Sequence, residues 1–368
     1  MVLARDINLH ISTSYNPPLL TRGQALTDAY IRKISLYNVG GVYIESTLPD
    51  EIEPREGINQ RLKGRALRDI KSIFRDFKTN KYVLGRGQMQ RLIGLSKDLV
   101  YDILSKDCYI TDISGLRGYD DYTYHHSLYV SVLSIATGVS LGFPEGVLHE
   151  IALSGLLHDI GKMAIPIEII NKPGSLTEKE FEIIKSHPSN AVEFLRDRND
   201  LSASVISGIE HHHERYSGGG YPHGLKGEQI PLYARILAVC DVYDALTSNR
   251  PYKKQSFPSE AIEYMMGAAD VQFDYNILVA FLKNVAAYPV GTFVALSNGE
   301  TGVVIRNHSE AILRPIVRLL DGGGHSGGRI DLLTDPHYAN VTIVDRGYKE
   351  HRLSLIKLSA PPREEVSL

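Results

Sequence analysis

Between residues 116 and 288, apolar residues recur at helical spacing, and histidines and aspartates interrupt those apolar stripes. A helix with one apolar stripe must turn it inward. Any imidazole or carboxylate on the stripe goes inward with it. Burying such groups costs free energy unless they are hydrogen-bonded, paired or bound to a cation. This stretch must therefore form a helical core that also satisfies a set of buried polar side chains. The apolar spacing predicts helices over 128–141, 147–157, 181–184, 203–209 and 236–246, and Thr177-x-x-Glu180 reads as a capping box for the third.

Nine of the fourteen histidines lie between residues 125 and 223. On a helix over 205–214, Val205, Ile209, His212 and His213 share one face, and His211 turns away towards solvent. Two adjacent imidazoles entering a core beside apolar residues point to a bound cation rather than to two hydrogen-bonded core histidines. His158-Asp159 closes the apolar helix ending at Leu157. By itself that dipeptide fits either a ligand pair or a helix-end His beside a surface Asp. His187-Pro188 sits where a helix must break. Asp241 interrupts an otherwise apolar helix, where either a cation or a buried ion pair would compensate it. His125 and His126 both precede the next apolar run, and periodicity does not choose between them.

The flanking regions read differently. Residues 1–50 contain short apolar pieces bounded by Pro17-Pro18 and Gly40-Gly41, a β-rich pattern, with a short amphipathic helix opening at Thr27. Residues 51–80 are heavily charged, and 86–105 carry helical spacing at Leu92, Ile93, Leu99 and Ile103, as a connector or a packing helix would. After Pro289, Asn298-Gly299 lies between two apolar runs as a hairpin signal, and three further strands are expected near 316–320, 330–333 and 341–344. The glycine-rich stretch 321–328 lacks the Lys of a phosphate-binding loop and reads as a hairpin tip. The expected organisation is mainly α. A helical domain at 116–288 follows a β-rich module at 1–50 and a connector at 51–115, and a small β-barrel-like domain at 289–368 ends in a loose tail.

A net charge of -3 argues against a protein that coats a nucleic-acid polymer, though it does not exclude a small anionic ligand. Two cysteines cannot build a disulfide framework. The first residues lack a secretory apolar core, and the longest apolar stretches are too short to span a bilayer. The expectation is a cytoplasmic protein without a membrane partner, and the sequence leaves a homodimer open. The ligand set of imidazoles and carboxylates, without thiolate, suits iron or manganese at least as well as zinc. Two such ions about 3.5–4 Å apart activate a bridging water and clamp a phosphate, the two requirements of phosphodiester hydrolysis.

Five blocks in order resemble the HD-GYP family of cyclic di-GMP phosphodiesterases: His158-Asp159-Ile160-Gly161-Lys162, His212-His213-Glu214, Gly220-Tyr221-Pro222, Arg235-Ile236, and Asp241 through Arg250-Pro251-Tyr252. The resemblance covers about 116–270. It implies an all-helical HD-type domain that hydrolyses cyclic di-GMP to pGpG in bacterial signalling, and it leaves open whether pGpG or GMP is the final product. It further implies that His126, His158 and Asp241 hold one divalent ion, that His187, His212 and His213 hold another, and that Asp159 bridges them. Lys162 and Arg250 would contact substrate phosphate, and Tyr221 would shape the pocket beside a guanine. Family members with three ions carry a Glu where this chain has Tyr122, which argues against a third ion here. Ser217 stands where the family often has Asp before the glycines. Two other readings compete: an HD phosphohydrolase acting on another cyclic dinucleotide, and a non-catalytic cyclic di-GMP sensor.

Overall fold

The structure is a computed structural model that describes residues 20–21, 23–36, 57–106, 122–172, 174–248, 256–320 and 326–345. The chain divides into two compact units, one spanning Arg55–Ala287 and one combining Met1–Pro54 with Tyr288–Leu368.

Within the second unit, the described N-terminal part holds α1 (Asp28–Leu36), where Thr27 predicted a helix. The remaining strand expectations for 1–50 lie outside the described residues, as does the tail beyond 345. The helical unit begins with α2 (Gln60–Thr79) and α3 (Arg86–Leu104). Asn59 starts α2 by accepting hydrogen bonds from the amides of Arg61 and Leu62. The charge of this segment masked a full-length helix in the sequence. Its apolar residues Leu67, Ile70, Ile73, Phe74 and Phe77 are buried, and its charged residues other than the buried Lys63 remain partly or fully exposed.

Helices α4 (Tyr122–Ser140) and α5 (Glu145–Leu157) pack against each other, and α2, α3, α4, α5 and the later α9 share one apolar core. The Ser131 hydroxyl donates to the Ala152 carbonyl at 2.9 Å, one contact that locks α4 to α5. A 3-10 turn at Ile160–Ala164 follows α5, and then come α6 (Ile167–Ile170), α7 (Glu178–Lys185), α8 (His187–Leu195) and α9 (Ala203–His211). The Thr177–Glu180 capping box forms at the start of α7. The 3-10 turn lies directly on α8: a Cβ at Gly161 would sit 1.9 Å from the His187 carbonyl oxygen, so only glycine permits this approach. Helices α10 (Leu232–Thr247), α11 (Pro258–Gly267) and α12 (Tyr275–Leu282) complete the unit. Among the described residues no helix is long and apolar enough to cross a membrane.

The C-terminal part contains β1 (Phe293–Leu296), β2 (Thr301–Arg306), β3 (Ile316–Leu320), β4 (Ser326–Asp331) and β5 (Ile343–Asp345). The Asn298-Gly299 hairpin is present, pairing Val294 with Gly302, and Gly299 adopts the positive φ of 87° that the turn requires. The five strands make an antiparallel sheet in the order β4-β3-β2-β1-β5. This corrects the barrel-like expectation. The sheet is open, because β4 and β5 lie at opposite edges and do not pair, and β5 is only three residues long.

Candidate metal centre

The side chains singled out in the sequence arrive from five separate elements. His126 lies in the second turn of α4, and His158 caps α5 with Asp159 beside it. His187 opens α8, where Pro188 fits the first turn of a helix. His212 and His213 follow α9, and Asp241 lies in the middle of α10. All except His213 are buried, and His213 retains 22% side-chain exposure.

The hydrogen bonds behind these rings decide what the rings present in front. The Nδ1 atoms of His158, His187 and His212 lie 2.9, 2.7 and 2.6 Å from the carbonyl oxygens of Gly155, Ile184 and Ile209. A carbonyl only accepts, so each Nδ1 carries the hydrogen and each neutral ring turns a bare Nε2 inward. The Nε2 atoms of His187 and His212 then face each other at 3.3 Å. Burial pushes both rings well below the usual imidazole range, so a proton does not fill that gap. Two opposed lone pairs in a dry site are repulsive without a cation between them.

The second pair is His126 and His158, whose Nε2 atoms lie 3.2 Å apart. Burial lowers His158. It also acts to lower His126, but hydrogen bonds to Asp241 and Asp244 outweigh it and raise that ring to about 9. His126 Nε2 is 3.1 Å from Asp241 Oδ1, and its Nδ1 is 2.8 Å from Asp244 Oδ2. This half of the site therefore calls for positive charge, supplied by a proton or by a metal ion.

Asp159 stands between the pairs. Its Oδ2 is 3.4 Å from His126 Nε2 and 3.6 Å from His158 Nε2, whereas its Oδ1 is 3.4 Å from His187 Nε2. That Oδ1 is buried without a hydrogen-bond donor. Burial acts to raise the Asp159 carboxyl, but Lys162 and the surrounding imidazoles overcome this and hold it well below the usual carboxylate range. Asp241 is likewise held low against its burial, chiefly by His126. The donor atoms of His187, His212 and His213 lie within 4.8 Å of one another, as do those of His126, His158 and Asp159. Two groups of imidazole and carboxylate donors, with opposed lone pairs and an orphaned carboxylate oxygen, fit divalent cations.

Lys162 lies at the rim, its Nζ 2.7 Å from Asp159 Oδ2 with 28% of the side chain exposed. The Tyr221 ring stacks on His213 with centroids 4.7 Å apart. Arg250 lies outside the described residues. Where periodicity left His125 and His126 open, His126 joins the cluster and His125 packs against Tyr129.

Three features escaped the sequence reading. Asp244 orients His126, and its signal was available: a second carboxylate one turn after Asp241 on the same apolar helix. Glu214 is buried, and its Oε1 accepts from the amides of His223 and Gly224, which anchors the loop bearing Tyr221. His211 is not solvated as its helical position suggested; its side chain is 12% exposed and near Glu210 and His223.

Comparison with known proteins agrees with the helical unit. The HD domain family matches residues 113–277. A cyclic di-GMP phosphodiesterase of Pseudomonas aeruginosa is 42% identical over 70% of this chain and 61% of its own length. A cyclic di-GMP phosphodiesterase response regulator of Xanthomonas campestris is 44% identical over 39% of this chain and 38% of its own. A 3'3'-cGAMP-specific phosphodiesterase of Vibrio cholerae is 38% identical over 45% of this chain and 39% of its own. The chain thus spans less than two thirds of the length of each of these relatives. With its helical core, its paired imidazoles and the aspartate between them, the stretch 113–277 matches the HD domain family, and its ordered sequence blocks resemble those of HD-GYP proteins.

Proposed function

We propose that this protein hydrolyses the phosphodiester bonds of cyclic di-GMP, giving pGpG, at a centre of two divalent ions. The observation that carries this reading is Asp159, whose two oxygens face different histidine pairs. One ion would be held by His126, His158 and Asp241, the other by His187, His212 and His213, with Asp159 shared between them. The nitrogen and oxygen donor set, without thiolate, favours iron or manganese. Bound ions would supply a hydroxide at neutral pH and positive charge facing the phosphate.

The remaining work falls to the chain's own side chains. Lys162 extends its ammonium from Asp159 to the rim, where it meets an anionic phosphate on arrival. Tyr221, stacked on His213, offers a flat apolar wall against which a base can lie. Arg250 would complete the phosphate contacts, since a guanidinium matches two phosphate oxygens at once. This reading assigns the chemistry to residues 116–288, with 1–50, 51–115 and 289–368 as flanking modules, in a cytoplasmic protein.

The resemblance of a cGAMP-specific relative makes the hybrid dinucleotide the natural competitor. Anaerobic purification, metal counting, and cleavage assays on cyclic di-GMP and 3'3'-cGAMP with one sample test the proposal. Two ions per chain with faster cyclic di-GMP cleavage are expected. Preference for 3'3'-cGAMP would reassign the substrate, and nucleotide binding without cleavage by the metal-loaded protein would make this a sensor.

A further inference from the structure

The end of α9 carries a second ligand group that the proposed reaction does not use. Glu210, His211 and His223 each offer one ligand atom, all within 4.8 Å of one another. His223 Nε2 is 3.0 Å from Glu210 Oε1, and His211 Nδ1 is 3.9 Å from Glu210 Oε2. Donors on a tetrahedral zinc ion, at bond lengths of about 2.0–2.1 Å, stand roughly 3.3 Å apart, so Glu210 and His223 are close to a ligating separation, and His211 would join them through Nε2.

The ring of His211 is also prepared for such a role. Its Nδ1 is 2.8 Å from the Ser207 carbonyl oxygen, which fixes the hydrogen on Nδ1 and leaves Nε2 bare. Its side chain is only 12% exposed, so the ring is held in place, whereas His223 at 52% leaves the group open to ions from solvent. The three residues come from two segments. Glu210 and His211 end α9, and His223 follows Tyr221-Pro222 in the loop. The near end of that loop is fastened by the Tyr221 amide donating to the His213 carbonyl at 3.2 Å.

We propose that Glu210, His211 and His223 form a zinc site, separate from the centre around Asp159, that fastens the loop bearing Tyr221 to the end of α9. Two imidazoles and one carboxylate give zinc three protein ligands, with water completing the tetrahedron. Zinc at this position ties His223 to the same helix end that supplies His212 and His213. The loop then holds Tyr221 against His213 with less freedom. The site itself does not depend on the proposed reaction; only its effect on turnover does.

The test uses the full chain and zinc alone as probe. Metal-stripped wild type and His223→Gln are dialysed against the same series of free zinc concentrations, and bound zinc is counted. The exposed His223 side chain makes this substitution tolerable to the fold, and Glu210→Gln serves as a second, independent variant. Wild type is expected to retain one zinc ion per chain more than either variant. Zinc should also slow amide exchange across 217–224 in the wild type and leave it unchanged in the variants. Equal zinc counts in all three proteins, or equal exchange in that loop with and without zinc, would overturn the proposal. Manganese-supported turnover of zinc-free His223→Gln separates this result from failure of the catalytic reading, because that variant leaves every residue around Asp159 in place.

Discussion

Asp244 offers a sharp test, because the structure gives it two opposing effects on cation binding. Its carboxylate accepts from His126 Nδ1 at 2.8 Å, with both side chains at most 2% exposed. Removing a group that orients a metal-binding histidine commonly costs 10–100-fold in metal affinity or activity, or about 1.4–2.8 kcal/mol. However, Asp241 and Asp244 also raise His126 to about 9 against its burial, so at pH 7 a proton competes with the ion. That competition lowers apparent affinity by about 100-fold at pH 7, two units below the pKa. In Asp244→Asn the amide oxygen still accepts from Nδ1, but the negative charge is gone and His126 becomes easier to deprotonate. Relief of proton competition then offsets much of the lost affinity at low pH and little of it near pH 9. Manganese affinity measured anaerobically at pH 6.5, 7.5 and 8.5 should therefore show a deficit that widens towards about tenfold or more as pH rises. A deficit that is constant or shrinks with pH would refute the role given to Asp244. NMR titration of His126 in the metal-free variant supplies a second readout, with an expected shift well below the wild-type value.

Other expectations follow from the same geometry. Asp159→Ala should abolish turnover and lower metal content, since its two oxygens face both histidine pairs; full metal loading with near-normal activity would contradict the shared-ligand arrangement. Arg250→Ala should keep both ions and lose about tenfold to a hundredfold in kcat/KM, about 1.5–3 kcal/mol, with Arg250→Lys recovering only part; lowered thermal stability at unchanged specific activity would make Arg250 a structural residue instead. The metal-free protein should be most stable near neutral pH. The raised His126, going from 6.5 to about 9, contributes stability that is complete below 6.5 and lost as pH rises through about 9. The lowered His213, going from 6.5 to about 4, contributes stability that is complete above 6.5 and lost as pH falls through about 4. Each shift corresponds to about 3 kcal/mol at about 1.4 kcal/mol per unit. Denaturant melts between pH 4 and 9.5 measure both limbs, and a flat profile would show that neither group is held as described. Phe74→Ala, in the shared core, should cost about 3–5 kcal/mol in the same melts; a loss under 1 kcal/mol would mean that α2 does not pack there in solution.

Much of the helical unit was legible in the sequence because burial writes a local period. Leu128 to Leu141 and Ile236 to Leu246 announce α4 and α10 without knowledge of any neighbour. A helix over 205–214 marked His212 and His213 as an inward imidazole pair, but α9 ends at His211, so the turn after it, and not one helix face, carries the two rings to the site. Helix α2 was missed where charge density drew attention away from the stripe formed by Ile70, Phe74 and Phe77.

Distances between elements are not written in any local period, and there the tertiary structure decided. It set which nitrogen of each histidine faces inward, because that depends on the carbonyls of Gly155, Ile184 and Ile209 behind the rings. It brought Asp244 of α10 behind His126 of α4, a contact spanning 118 residues of sequence. The covering of His211 by Glu210 and His223 likewise depends on a loop returning to its helix. The open sheet follows the same logic. Asn298-Gly299 specifies one hairpin because a two-residue turn is local, but closure into a barrel would need β4 to pair with β5, and only the course of the intervening chain determines whether those edges meet.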